Sequence, residues 1–275
     1  MTEATTGPGL DFVQRLITPN YADILEDRVV NSAGTYNARA GGATPGPWIM
    51  QLAAFKAVTA TSASFIQDAY QQNWCSGSCM MATYSQAQTA GDLNVVVVSW
   101  GDSTTQITSV TDASGNAYQL AAGPTVLSVT SGLSPLSQAI YYTINRANAP
   151  AGSNSVLITF NASPASPDIR VSEYKGVSAT SPLDGAVASS GTSATCNSGP
   201  LTTTNANDLL IAANTIDAST IGPGPGYGEE LLTWSFDEIL EDQIVSSPGS
   251  YTATAPLVGS APWIMQLVAF KLAAR

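Results

Sequence analysis

Histidine is missing from all 275 residues. Its absence removes the usual general base, the usual partner that activates a Ser or Cys nucleophile, and the commonest zinc ligand. Charge is also scarce: 11% of residues are Asp, Glu, Lys or Arg, and the nine cations face twenty anions, for a net charge of −11. A chain so poor in Lys and Arg has no basic face for nucleic acid or for an anionic membrane surface. Divalent cations are the ionic partners such a charge favours. No apolar run approaches the roughly 18 residues of a membrane-spanning helix, the longest being Val95 to Trp100. The N-terminus, MTEATTGPGL, lacks the basic and apolar regions of a signal peptide, so an exported protein is expected to be a mature piece of a longer precursor.

Hydrophobic residues make up 44% of the chain, and Ser, Thr, Asn and Gly fill much of the rest. That composition builds a folded protein with a weakly charged surface, not a disordered one. Residues 24 to 56 recur at 239 to 271, at a constant offset of 215, with 19 of 33 positions identical. The first copy reads ILEDRVVNSAGTYNARAGGATPGPWIMQLAAFK and the second ILEDQIVSSPGSYTATAPLVGSAPWIMQLVAFK. Gly7-Pro8-Gly9 matches Gly222-Pro223-Gly224 at the same offset. Repetition at a fixed period points to an array, a stalk or a multivalent surface.

Short runs rich in Val, Ile, Thr, Tyr and Leu alternate with Gly, Pro, Asn, Asp and Ser clusters, and no helical period competes with them. A weaker correspondence sets Asp92-Leu93-Asn94-Val95-Val96 against Asp208-Leu209-Leu210-Ile211-Ala212. It also sets Gln138 to Ile144 against Glu238 to Ile244, and Glu173-Tyr174-Lys175 against Ala269-Phe270-Lys271. We read an all-β chain: two tandem immunoglobulin-like β-sandwich units, residues 62–180 and 181–275, preceded by a partial repeat and linker over 1–61. One larger jelly roll is the alternative. Residues 1–61 then carry the final strands of a sandwich whose other sheet they lack, which leaves Trp48, Met50, Leu52 and Phe55 in need of a surface to cover them. Strand addition to a neighbouring unit or molecule supplies one.

Few residues suggest chemistry. Trp74 and Trp234, at strand ends, suit stacking on sugar rings, whereas Trp48 and Trp263 sit at repeated positions inside apolar strands and suit a core. Cys75 and Cys79 flank a turn-like Ser-Gly-Ser and can form a short-loop disulfide, and three cysteines without histidine make a poor zinc site. Alternation along the strand places Asp242 on the apolar side with Leu240 and Ile244, where an acid needs a partner. Lys271 or Lys56 is the expected partner, in an ion pair or, more sharply, an isopeptide crosslink. Glu173 is a lone candidate for a glycosidase acid, a reaction that requires two carboxylates. Asp112 to Asn116 and Gly101-Asp102-Ser103 offer weak calcium ligands, without the spaced acids of an EF-hand, and an Asx-type turn is the default. No other cofactor is expected.

The strings VTDASGNAYQL, AIYYTINRA, DIRVSEYKGV with SPLDGA, ILEDQIVSSPGSYTATA and WIMQLVAFK resemble repeated immunoglobulin-like or jelly-roll β-sandwich modules of secreted or surface bacterial proteins. The resemblance covers roughly residues 62 to 272 and carries no catalytic motif. It implies an exported, non-catalytic role at the cell surface or outside the cell, and the uncovered strands of residues 1–61 add the expectation of a structural or adhesive protein that self-associates into a tandem or filamentous array. A carbohydrate-binding module that meets polysaccharide is the competing expectation, and a carboxylate-based glycoside hydrolase is the third.

Overall fold

The computed structural model describes residues 5–18, 23–30, 32, 34–42, 47, 49–54, 62–71, 77–128, 134–234 and 237–274. It is all-β, with several antiparallel sheets and no helix among the described residues. The chain divides into two compact units, Met1–Ala57 and Val58–Arg275.

The smaller unit contains β1 (Thr5–Gly7), β2 (Val13–Ile17), β3 (Ile24–Asp27) and β4 (Gly41–Gly42), paired β1 with β4 and β2 with β3. Two-stranded ribbons bury little, and most of their side chains are exposed.

The larger unit is built in layers. Its first half has β5 (Ser64–Gln71), β6 (Cys79–Thr83), β7 (Leu93–Trp100), β8 (Ile107–Asp112), β9 (Gln119–Leu127), β10 (Leu136–Ile144), β11 (Ser155–Phe160) and β12 (Asp168–Lys175). Five of these form a sheet in the order β5-β12-β7-β10-β9, and three form a smaller sheet, β6-β11-β8. Met80, Val96, Val98, Trp100, Ile158 and Val171 belong to the core that joins them. The second half has β13 (Leu183–Asn197), β14 (Leu201–Thr202), β15 (Asp208–Ile216), β16 (Gly228–Leu232), β17 (Ile239–Val245), β18 (Ser250–Tyr251) and β19 (Thr254–Lys271). Here the five-stranded order is β13-β19-β15-β17-β16, with β14-β18 beside it. Strings that correspond in sequence take the same places: Asp92–Val96 and Asp208–Ala212 lie in or abut the central strands β7 and β15, and Gln138–Ile144 and Glu238–Ile244 occupy or abut β10 and β17.

The two five-stranded sheets share a core. Leu93, Val95, Val97, Ile140, Tyr142 and Tyr174 of one pack with Leu209, Ile211, Ala213, Leu240, Val268 and Phe270 of the other. A further core, with Leu210, Ala212, Met265, Leu267 and Trp263, covers the outer face of the second sheet. Central strands are therefore buried on both faces, and every residue of β7 and β15 is buried. That is why both read as near-continuous apolar runs and not as alternating ones. β13 extends from Leu183 to Asn197 because β19 is long enough to pair along it.

Candidate assembly surface and paired carboxyls

The 215-residue offset is a structural relation as well as a textual one. In the smaller unit β2 pairs with β3 in the register Val13↔Asp27, Gln14↔Glu26, Leu16↔Leu25 and Ile17↔Ile24, with an irregularity between Gln14 and Leu16. In the larger unit β16 pairs with β17 as Gly228↔Asp242, Glu229↔Glu241, Leu231↔Leu240 and Leu232↔Ile239, with the irregularity between Glu229 and Leu231. Every partner is displaced by the same 215. Side-chain contacts repeat too: the Gly9 N–H donates to Glu26 Oε2 at 2.8 Å, and the Gly224 N–H to Glu241 Oε2 at 2.8 Å. Tyr36 and Tyr251 donate their hydroxyls to the carbonyls of Ser32 and Ser247 at 2.6 and 2.7 Å. A Cβ at Gly9 would collide with the Arg39 carbonyl and one at Gly224 with the Thr254 carbonyl, so both copies need glycine at this crossing.

The copies differ in what covers them. Leu25 is 61% exposed and its counterpart Leu240 0%; Leu16 is 55% exposed and Leu231 9%. Ile49 is 90% exposed against 0% for Ile264, and Leu52 54% against 0% for Leu267. Residues 49–54 have no strand assignment, whereas Ile264–Ala269 lies within β19, between β13 and β15. The same letters thus form a central strand where two neighbours exist and remain unpaired where they do not. Each large aliphatic side chain left in water forgoes about 2 kcal/mol. Of the four residues expected to seek cover, Leu52 is exposed and Met50 half-buried. Trp48 and Phe55 lie outside the described residues.

One exchange between the copies alters charge. Arg15 Nε lies 2.8 Å from Asp27 Oδ1. At the offset of 215 the same two positions hold Glu230 and Asp242, so an ion pair is replaced by two acids. The carboxyls of Glu230 and Asp242 hydrogen-bond each other, and burial pushes Glu230 up to about 7 and Asp242 up to about 6, with Asp68 adding to the negative potential at Glu230. Two acids this close resist simultaneous ionisation. Glu230 occupies the irregular position of β16, and Gly228 beside it presents no side chain to either carboxyl. Among the described residues no group of three or more His, Cys, Asp or Glu is arranged to hold a metal ion.

Asp242 and Lys271 are not brought together. Lys271 Nζ lies 3.8 Å from Asp184 Oδ1, while the groups that act on Asp242 are Tyr174 and Glu230. In register β17 and β19 lie on opposite sides of β15, and this separates the two side chains. Lys56 lies outside the described residues. Cys79 is disulfide-bonded, and Cys75 lies outside the described residues. Cys196 is a free, buried thiol, pushed by desolvation up to about 12. Trp234 is 86% exposed, and Trp74 lies outside the described residues. Trp263 is buried and its indole N–H donates to Ser193 Oγ at 2.8 Å.

The acids considered for calcium or catalysis have protein partners. Asp102 accepts the N–H groups of Thr104, Thr105 and Ala165, as an Asx-type turn does, and these bonds hold its carboxyl below the usual range despite its desolvation. Asp112 accepts from Asn116 and Tyr118. Glu173 is fully buried and bound by Gln67 at 2.6 Å and Asn145 at 3.3 Å. A buried charge group that sequence inspection did not single out lies between the two five-stranded sheets. Arg170 Nε lies 2.9 Å from Asp168 Oδ1, and its Nη2 is 3.0 Å from Glu238 Oε2. Desolvation raises Asp168 to about 8, opposed by Arg170 and reinforced by Glu238. The alternating letters of DIRVSEY announce a strand but not that a second charged strand will close over it.

No family model, curated protein or solved structure matches this chain.

Proposed function

We propose that the chain is a non-catalytic structural protein of an extracellular or cell-surface array. Residues 62–180 and 181–275 act as tandem immunoglobulin-like sandwich units, and residues 1–61 as a partial repeat that joins units or molecules by β-strand complementation. The exposure contrast between the two copies carries this reading: Leu25, Ile49 and Leu52 are wet, and Leu240, Ile264 and Leu267 are dry, although the hairpins that hold Leu25 and Leu240 share one register. A hairpin whose copy is completed by three more strands and a facing sheet is a ready substrate for such completion. The Cys79 disulfide fits an oxidising compartment. Sedimentation velocity and electron microscopy of the full chain test it. Wild-type protein is expected to form concentration-dependent assemblies that Leu25→Asp/Ile49→Asp reduces in size without changing the melting temperature. Assemblies of unchanged size in the double variant would sink the reading.

Polysaccharide binding is supported by one observation, the 86% exposure of Trp234. Retention on insoluble polysaccharide, lost on Trp234→Ala, is its expected signature, and absence of retention in wild type counts against it. A glycoside hydrolase has less support, because Glu230 and Asp242 are in hydrogen-bond contact, whereas glycosidase carboxyls stand about 5–9.5 Å apart.

A further inference from the structure

We infer that the free edge of β13 is a second, independent self-association surface, on which another copy of this chain adds its own β13 antiparallel. The argument starts from how the other edges are protected. An edge strand presents unpaired N–H and C=O groups, and natural edges are blunted by charge, proline, irregularities or shortness. At one edge of its sheet, β5 carries Asp68 and an irregularity, and at the other β9 carries Pro124 and two irregularities. In the small sheet β6 is five residues long, and β8 has an irregularity and ends on Asp112. Opposite β13, the edge strand β16 has five residues, an irregularity, and the acids Glu229 and Glu230.

Between Gly185 and Ser193 none of these devices protects β13. It is 15 residues long and pairs only with β19. Its register shifts fall between Leu183 and Gly185 and between Ser193 and Thr195, which leaves Gly185 to Ser193 as an unbroken ladder. Asp184 is turned away to receive the N–H groups of Thr204 and Asn205 and the Lys271 ammonium. From Gly185 to Asn207 the sequence has no charged residue and, through Gly199, no proline. Among the described residues no strand other than β19 bonds to it.

The occupant follows from charge and symmetry. In a chain of net charge −11, two copies repel except where they meet through an uncharged surface. Gly185 to Ser193 is such a surface. Antiparallel pairing of identical strands about a two-fold axis sets residue i of one copy against j of its partner and j against i. Across this stretch the exposed side chains, Ala186, Ala188, Ser190 and Thr192, are all small and neutral, so the pairing meets neither like charge nor bulk. The two sheets then become one sheet of ten strands. A partner surface on β13 and another on residues 5–54 are two distinct contacts, and a linear array requires two. The β13 contact does not depend on the N-terminal one.

Two measurements on the full chain decide it. Lys is the residue natural edges use against pairing, and Ala188 and Thr192 are exposed, so Ala188→Lys/Thr192→Lys is expected to keep the wild-type melting temperature and at least tenfold weaken dimerisation in sedimentation equilibrium. Leu25→Asp/Ile49→Asp, run in parallel, is expected to leave this dimer intact, which separates the two interfaces. In the second measurement Ser190→Cys is expected to crosslink between copies with a short bismaleimide, far above wild type and above Ala151→Cys, an exposed site on another strand connection. A wild-type chain that stays monomeric at high concentration, a lysine variant that dimerises as wild type does, or Ser190→Cys crosslinking no better than Ala151→Cys would each overturn the inference.

Discussion

Arg170 and Glu238 meet at 3.0 Å between the two five-stranded sheets, and at the corresponding positions of the other halves Gln266 and Gln138 meet at 3.2 Å. The equivalence follows from register: Arg170 stands opposite Val97 and Gln266 opposite Ala213, while Ile140 and Leu240 stand opposite those same two residues. One approximately symmetric interface thus uses an ion pair on one side and an amide pair on the other. Both reach across to main chain. Arg170 donates to the carbonyls of Asn214 and Ile239, and Gln138 to that of Ala213.

Removal of one partner is expected to cost far more than replacement of both. Arg170→Ala leaves Glu238 buried with Ser99 and Thr215 but without a counter-charge, and should destabilise the fold by about 3–5 kcal/mol. Arg170→Gln/Glu238→Gln copies the amide arrangement and should lose less than half of that. Urea unfolding at neutral pH measures both.

Stability is expected to fall as pH rises from 5 to 8.5. Burial raises Asp208 and Asp242 to about 6, Glu230 and Glu241 to about 7 and Asp168 to about 8. An acid raised above its unfolded value holds its proton more tightly when folded, so its contribution is complete below the unfolded value and is lost as pH rises through the folded one. Asp102 and Asp184 are lowered and act in the opposite sense, with contributions lost in strong acid. Melting temperatures across pH 3 to 9 should therefore peak on the acid side. Glu241→Gln should flatten the alkaline limb, and a flat wild-type profile would refute the account.

Glu230→Arg is expected to stabilise the protein at pH 8 and do little at pH 5. It restores at Asp242 the ion pair that Arg15 makes with Asp27, and removes a carboxyl whose proton alkali withdraws. Thermal melts at the two pH values give the contrast directly.

Gly224→Ala should destabilise by about 1–3 kcal/mol, since its Cβ meets the Thr254 carbonyl, part of the backbone. Gly222→Ala, two residues away with nothing within 4 Å of its Cβ, should fall within about 0.5 kcal/mol of wild type. Denaturant midpoints of the two variants test the crossing and supply the control.

Much of the strand content could be read from particular letters. Leu93 to Trp100 and Leu209 to Ile216 are apolar enough to require cover on both faces, and the recurrent ILED and WIMQL strings announced the duplication. The paired carboxyls were legible only in part: comparison of Arg15 with Glu230 reveals the charge exchange, but not that Asp68 and Tyr174 from the facing sheet lie beside it. Lys271 took Asp184 and not Asp242 because β15 runs between β17 and β19, an order that adjacent letters do not record.

By itself the sequence determined the strand periodicity, the absence of imidazole and of a basic face, and the 215-residue repeat, because each is a property of local residue order and composition. Tertiary structure alone decided that the two five-stranded sheets share a core, that IMQL lies in an interior strand in one copy and is unpaired in the other, and that β13 ends its sheet with an unguarded edge. Those are questions of which strand finds which neighbour. Backbone hydrogen bonds across a sheet join residues far apart in the chain, so identical segments with different neighbours reach different ends.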